Sequence, residues 1–459
     1  MNRSTIKYFS TNLKAEEVSF CQALLKGLAP DKGLYMPDAI PRFTKNEIAE
    51  LHSLEYHEIA FKIAGKFLEN EIPENDLSSI VKDAYNFPVP LEKVHDRTHV
   101  LRLDQGPTAS FKDFAARMMG RLMQYFLERE GRELLILTAT SGDTGSAIAN
   151  AFYGLDNIKV VVLFPENEVT PRQRKQMTTL RENVQIISIK GKFDDCQAMV
   201  KEAFVDASLE PLNLSSANSI NIGRLIPQSM FYFYAWAKLS ENADDKVIFS
   251  VPSGNFGDLM GGLIAREMGM PVKRFVVATN ENDEVPVYFK TGDYQTIVPS
   301  RNCISSAMNV GHPSNMARII SLYGGIMNER GLITREPDIQ RIRTDMFGVS
   351  VSDKDTRAAI KSAWDEWKLL LEPHGAVAWE GLKQYFSFHQ GENHDEQLSI
   401  VLETAHPAKF PDEIQQILNI DPELPPSLSN LEDKEEFFVN MNNDYKEFRQ
   451  FLVDKYSKS

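Results

Sequence analysis

At 459 residues the chain is too long for one simple core, and its length suggests about three domains. Its 42% hydrophobic and 25% charged residues are an ordinary globular composition. The net charge of -14 argues against a nucleic-acid partner, which needs a basic face, but leaves room for a small anionic substrate in a local pocket. Cys21, Cys196 and Cys303 lie far apart without CxxC spacing, so neither a disulfide framework nor a zinc knuckle is expected, and a reducing cytoplasm fits best. The start of the chain lacks the apolar run of a signal peptide. The greasiest stretch, 229–239, is broken by Lys238 and is too short to span a bilayer.

Residues 1–90 read as an N-terminal module. It holds an amphipathic helix at 16–26, a turn-rich loop at 29–37, helices at 54–68 and 76–85, and a closing Phe87-Pro88-Val89-Pro90. His95 and His99 stand at i,i+4, a spacing that suits a metal only on a helix, whereas Asp96-Arg97-Thr98 reads as a turn. With no acidic partner at HExxH-like spacing for these or for His52 and His57, no metal site is expected. A strand follows at 98–104, then a Gly-Pro turn with Thr and Ser, then a helix opening near Phe111 whose apolar positions recur at helical spacing to 128.

From 133 the pattern alternates. Strands are expected at 133–139, 158–164 and 184–189, with helices at 146–153 and 171–180 between them. The rhythm resumes with a strand at 246–251, a loop at 252–258, a helix at 259–268, and strands at 274–279 and 399–402. This is the signature of an α/β fold whose parallel sheet is covered on both faces. A charged helical tail is expected at 432–455.

The chemistry gathers in three places. Lys112 falls in the first turn of its helix, where the dipole disfavours a cation and neighbouring rings desolvate it. Both effects lower an ammonium pKa, as an amine nucleophile requires. The loops Thr140-Ser141-Gly142-Asp143-Thr144-Gly145 and Pro252-Ser253-Gly254-Asn255-Phe256-Gly257-Asp258 each join a strand to a helix. There, successive backbone N–H groups make anion sites. Neither loop is a dinucleotide fingerprint or a Walker loop. A desolvated lysine beside a phosphate cradle points to pyridoxal phosphate.

Gly106-Pro107-Thr108-x-x-Phe111-Lys112-Asp113-Phe114 resembles the cofactor-lysine motif of the threonine synthase family, fold-type-II (tryptophan synthase β-like) pyridoxal phosphate enzymes. Residues 139–147, 218–225, 252–258, 371–378 and 404–410 match the same family in the same order, as do 8–11 and 33–37 near the start. The resemblance implies two parallel-sheet βα domains plus an N-terminal helical module. The divisions would be 1–90 (module), 91–114 with 206–420 (large cofactor domain), 115–205 (small mobile domain) and 421–459 (tail). It makes Lys112 the Schiff-base lysine and the proton-moving base. Ser253, Gly254, Asn255, Phe256, Gly257 and Asp258 become the loop holding the cofactor phosphate, and Thr404 the hydroxyl partner of the pyridine nitrogen.

The resemblance also assigns Ser141, Gly142, Asp143 and Thr144 to the substrate carboxylate, and Asn218, Ser219 and Arg224 to the substrate phosphate. Lys175 and Lys409 are weaker phosphate candidates that read more simply as solvated surface charge. Ser110, Lys32 and Glu403 depart from the family's small residues, and Glu403 sets a carboxylate beside the pyridine partner. The implied reaction converts O-phospho-L-homoserine and water to L-threonine and phosphate, in a monomer or small homo-oligomer with no nucleic-acid or membrane partner. A lyase acting on a related phospho-amino acid, or a cofactor-binding protein without turnover, are the alternatives.

Overall fold

The computed structural model describes residues 6–140, 142–391 and 394–457. Two sheets organise it. The larger has six strands in the order Met346–Ser350, Val272–Thr279, Val247–Pro252, Ser399–Glu403, Thr98–Arg102, Leu91–His95. All neighbours are parallel except the edge strand Leu91–His95, which forms a hairpin with Thr98–Arg102. Successive side chains on these strands point to opposite faces. Phe249, Val251, Phe275, Val277 and Leu402 therefore enter one core with the helices Ile226–Leu239 and Gly257–Glu267. Ile248, Val276, Ala278 and Val401 enter another with the helices Asp353–Trp367 and Pro373–Phe388. Burial on both faces is why the strands read as continuous apolar runs.

The smaller sheet is wholly parallel, in the order Val439–Asn442, Val184–Lys190, Ile158–Pro165, Leu134–Ala139, Leu214–Ser215. Its outer strand corrects the expected tail. Residues 432–438 are not helical, Val439–Asn442 pairs with Val184–Lys190, and the helix runs only over Tyr445–Tyr456. Phe448 and Leu452 of that helix are buried with Leu137, Leu163, Ile187 and Ile189, so the segment completes one face of the small sheet. Glu436 seals it by accepting from Arg174 Nε and Nη2 at 2.8 and 2.9 Å.

The helix expected from Phe111 runs over Lys112–Glu130 and stops at Gly131 with φ +61°. Its first turn is anchored by Phe114, whose ring meets those of Tyr56, Tyr85, Phe87 and Phe231. His95 and His99 sit on the two arms of the hairpin rather than on a helix. Among the described residues no helix is long and apolar enough to cross a membrane.

Candidate active site

Ligands of open α/β sheets bind beyond the carboxyl ends of the strands, and the singled-out residues lie there. Three adjacent strands of the large sheet, Val247–Pro252, Ser399–Glu403 and Thr98–Arg102, run respectively into Ser253, into Thr404 and towards Lys112. In the small sheet the paired strands Leu134–Ala139 and Leu214–Ser215 lead into Gly142 and Asn218. Ser141 lies outside the described residues.

The lysine loop is built by Asp113. Its buried carboxylate accepts from the Thr108 N–H at 2.8 Å and the Thr108 hydroxyl at 2.6 Å. Gly106 is required because a Cβ there would come within 2.5 Å of Asp113 Oδ2. The loop is then strapped to the end of Ser399–Glu403: Phe111 N–H donates to the Thr404 carbonyl at 2.9 Å and His406 N–H to the Ala109 carbonyl at 3.1 Å. Lys112 and Thr404 are thereby neighbours. Burial lowers the Lys112 pKa. Asp143 and Asp258 oppose that shift, while Lys409 and Arg224 reinforce it. The Phe111 ring lies 4.8 Å from its ammonium.

Gly254 packs against the backbone of 307–308, where a Cβ would come within 2.8 Å of both Ala307 O and Met308 Cα. Phe256 takes the left-handed conformation at φ +60° and turns the chain into the helix Gly257–Glu267. A helix start has N–H groups without intrahelical partners, the donors an anion needs, although here that of Leu259 is taken by the Asp258 carboxylate. Asn255 braces the loop through its side chain, accepting from Ser314 N–H at 2.7 Å and donating to Ser219 Oγ at 2.6 Å. Asp258 is buried, and desolvation lifts its carboxyl to about 6. Its Oδ1 accepts from the next N–H in the chain, so only its backbone suits an anion.

The Asn255–Ser219 hydrogen bond brings the 252–258 loop against the 218–224 segment. Asn218 also reaches the small sheet, accepting from Thr138 Oγ1 at 2.5 Å. Arg224 is buried. Its Nη1 donates to the Ala217 carbonyl at 2.7 Å, while its Nε is buried without a partner among the described residues. Desolvation lowers its pKa to about 10, which still leaves it charged at neutral pH. A buried guanidinium with an unused donor is half of an anion site. Arg318 is a prop that sequence reasoning missed. It is fully buried and donates to the carbonyls of Tyr35, Ser219 and Ile220, tying the N-terminal module to this segment.

Two expectations change. The helix after Leu134–Ala139 begins at Asp143, so Asp143 and Thr144 lie in its first turn rather than in a loop. Thr140 makes this possible, its hydroxyl accepting from the N–H groups of Gly142 and Gly145 at 2.9 and 2.8 Å. The Gly142 N–H is therefore occupied. The Asp143 side chain faces cations: it lies 2.6 Å from Lys409 Nζ and accepts from Gln173 Nε2 at 2.9 Å. Lys409 is accordingly no surface charge, being fully buried with Asp143 and the Thr108 carbonyl as partners. Lys175 does not join this cluster; it donates to the Glu432 carbonyl.

Glu403, expected to set a carboxylate beside Thr404, is engaged by Glu372. Its Oε1 accepts from the Glu372 N–H at 2.8 Å, and burial beside Glu372 raises its pKa, which favours the neutral acid. The donors present fit pyridoxal phosphate: a desolvated lysine, a helix start with a glycine that backbone atoms crowd, and a buried hydroxyl on Thr404.

Comparison with known proteins agrees with this assembly. The family model for pyridoxal-phosphate dependent enzymes matches residues 88–402, the threonine synthase N-terminus model matches 7–85, and the threonine synthase C-terminal model matches 380–452. A threonine synthase of Haemophilus influenzae is 41% identical over 95% of this chain and 97% of its own. The pyridoxal-phosphate-bound crystal structure of threonine synthase from Brucella melitensis superposes with a TM-score of 0.91 at 34% identity, covering 99% of this chain and 100% of that one. The threonine synthase structure from Escherichia coli gives 0.86 at 37% identity, covering 98% and 99%. By sequence and fold along nearly its whole length, the chain belongs to the threonine synthase family of pyridoxal-phosphate dependent enzymes.

Proposed function

We propose that this chain converts O-phospho-L-homoserine and water to L-threonine and phosphate, with Lys112 as both the cofactor-bearing lysine and the base. The observation that carries the reading is the convergence of two separate anion sites on one buried amine. The 253–258 helix start suits the cofactor phosphate. Arg224, with an unused Nε, suits the phosphate of the substrate together with Asn218 and Ser219. Bound pyridoxal phosphate would supply an electron sink for bonds broken at the substrate's α-carbon.

The chain's own groups do the rest. Lys112 would hold the cofactor and, as a desolvated amine, is placed to take and return protons at the substrate carbons. Thr404 offers a neutral hydroxyl to the ring nitrogen, and Glu403 adds no charge beside it because burial favours its neutral form. Ser141, Gly142, Asp143 and Thr144 hold the substrate carboxylate. Within that loop the N–H groups of Asp143 and Thr144 are the donors, because the N–H groups of Gly142 and Gly145 and the Asp143 carboxylate are engaged elsewhere.

The small βα unit of residues 115–205 acts as a lid that excludes bulk water from the intermediates, and the strand and helix at 439–456 move with it. The enzyme works in the cytoplasm as a monomer or small homo-oligomer. The test is phosphate release and threonine formation with phosphohomoserine against phosphoserine. Turnover of phosphoserine alone would replace this substrate assignment with a related phospho-amino acid.

A further inference from the structure

We propose that Lys409 is a positioning residue for the reaction: by binding Asp143 inside the site, it draws that carboxylate's charge away from Lys112 so that the Lys112 amine can work uncharged. The proposal rests on the reading of Lys112 given above, and its geometry is independent of any cofactor.

Lys409 is 0% exposed and Asp143 6%, and their Nζ and Oδ1 are 2.6 Å apart. Each is held by a second partner. Lys409 Nζ also donates to the Thr108 carbonyl at 2.9 Å, four residues before Lys112, and Gln173 Nε2 donates to Asp143 Oδ1 at 2.9 Å. The pair thus spans the two sheets' loops. It joins the helix Asp143–Phe152 to the turn Pro407–Lys409, next to the lysine loop.

The charges facing Lys112 balance. Asp143, from the small-sheet side, and Asp258, from the helix Gly257–Glu267, favour its protonation. Lys409 and Arg224 oppose it. Removing Lys409 would leave two acids against one arginine in a desolvated space. An opposite charge within a few ångströms raises an amine's pKa by about one unit or more. Lys409 thus opposes the protonation of Lys112 and at the same time partners the carboxylate that favours it.

A purely mechanical role has to be separated from this one. The same neighbourhood carries other cross-links, from Arg172 Nη1 to the Ala408 carbonyl at 2.6 Å and from Gln176 Nε2 to the Thr108 carbonyl at 3.0 Å. If Lys409–Asp143 were only one more such strap, cutting it from either end would have the same effect. The electrostatic role demands opposite effects.

The test is the apparent pKa of Lys112 in the full-length chain freed of cofactor. It is read from the pH dependence of its acetylation by acetic anhydride, with peptide mass spectrometry. Lys409→Met should raise that pKa by about one unit. Asp143→Asn, which keeps an amide for Gln173 and leaves Lys409 in place, should lower it below wild type. Lys409→Arg should stay near wild type. In the cofactor-loaded enzyme, where Lys112 is a free amine only once substrate is bound, the acid limb of kcat should move in the same two directions. Shifts of one sign in both variants, or none in either, would overturn the proposal. Borohydride fixation of the cofactor to a lysine other than Lys112 would instead overturn the functional reading, so the two failures are distinct. Should Lys409→Met fail to fold, Lys409→Gln takes its place, and an unchanged or lowered Lys112 pKa in that variant refutes the proposal.

Discussion

Gly254 and Gly257 both belong to the glycine-rich 252–258 loop proposed to hold the cofactor phosphate, yet the structure gives them different reasons to be glycine. A Cβ on Gly254 would lie 2.8 Å from Ala307 O and from Met308 Cα, and both are backbone atoms that cannot rotate aside. A Cβ on Gly257 would meet nothing closer than Ser219 Cβ at 3.5 Å, ordinary contact at the first residue of a helix. Gly254→Ala must therefore displace either the phosphate loop or the 307–308 segment, and forced repacking of this kind costs about 1–3 kcal/mol. If the loop yields, the cost appears in cofactor binding as a roughly 5- to 150-fold weaker Kd. Gly257→Ala should leave the cofactor-free protein within about 0.5 kcal/mol of wild type, the usual range for an unobstructed site. Thermal unfolding without cofactor, followed by fluorescence titration with pyridoxal phosphate, measures both. Equal destabilisation by the two alanines, or wild-type stability and affinity in Gly254→Ala, would refute the steric argument.

Lys112→Ala should lose borohydride-fixable cofactor yet still bind pyridoxal phosphate reversibly through the 253–258 helix start, as absorbance after gel filtration would reveal. Arg224→Lys should weaken apparent phosphohomoserine binding by about 1–3 kcal/mol while retaining cofactor, because an ammonium keeps the charge but lacks the planar fork that sets one donor on the Ala217 carbonyl and another at the Nε position. Cofactor loss in that variant would move Arg224 to the other phosphate. Glu284 is buried with neither carboxyl oxygen bonded among the described residues, and desolvation raises its pKa from 4.5 to about 7. The unfolded chain then ionises first. Stability falls as pH rises from about 4.5 to about 7, and the whole cost stays in force above that. Glu284→Gln should accordingly raise Tm at pH 8 and have little effect at pH 4, by differential scanning calorimetry.

What the sequence made legible follows a physical rule. Lys112, the 252–258 loop and Thr404 each come after an apolar strand, so the periodicity that reveals the strand also locates the residue at its carboxyl end. Residues whose role comes from distant partners gave no such signal. Lys409 meets Asp143 from 266 positions away, and as a lone lysine after Pro407 it reads as solvated charge. Arg318 supports a segment about a hundred residues earlier and shows nothing locally beyond a cation in a helix. The edge strand Val439–Asn442 was missed because only Met441 is buried there. One apolar contact in four residues leaves no alternation to detect.

The motif at 371–378 shows how such distant partners can still constrain a site. Glu403 accepts from the Glu372 N–H, and Glu372 in turn accepts from His374 Nδ1 at 2.5 Å and from the N–H groups of His374 and Gly375. The opposite ring nitrogen, Nε2, accepts from the Ala307 N–H at 3.0 Å, which fixes the neutral tautomer with its proton on Nδ1. Ala307 is also the wall that forbids a side chain on Gly254. A continuous path of hydrogen bonds and contacts thus runs from the residue before Thr404 to the backing of the phosphate loop. Gly375 completes it, since a Cβ there would overlap Glu403 Oε2. The carboxyl that seemed to intrude on the pyridine partner is better understood as the near end of this path. Burial favours its neutral form, which would place no charge beside Thr404, and its bond to Glu372 begins the link from Thr404 to the backing of the 252–258 loop.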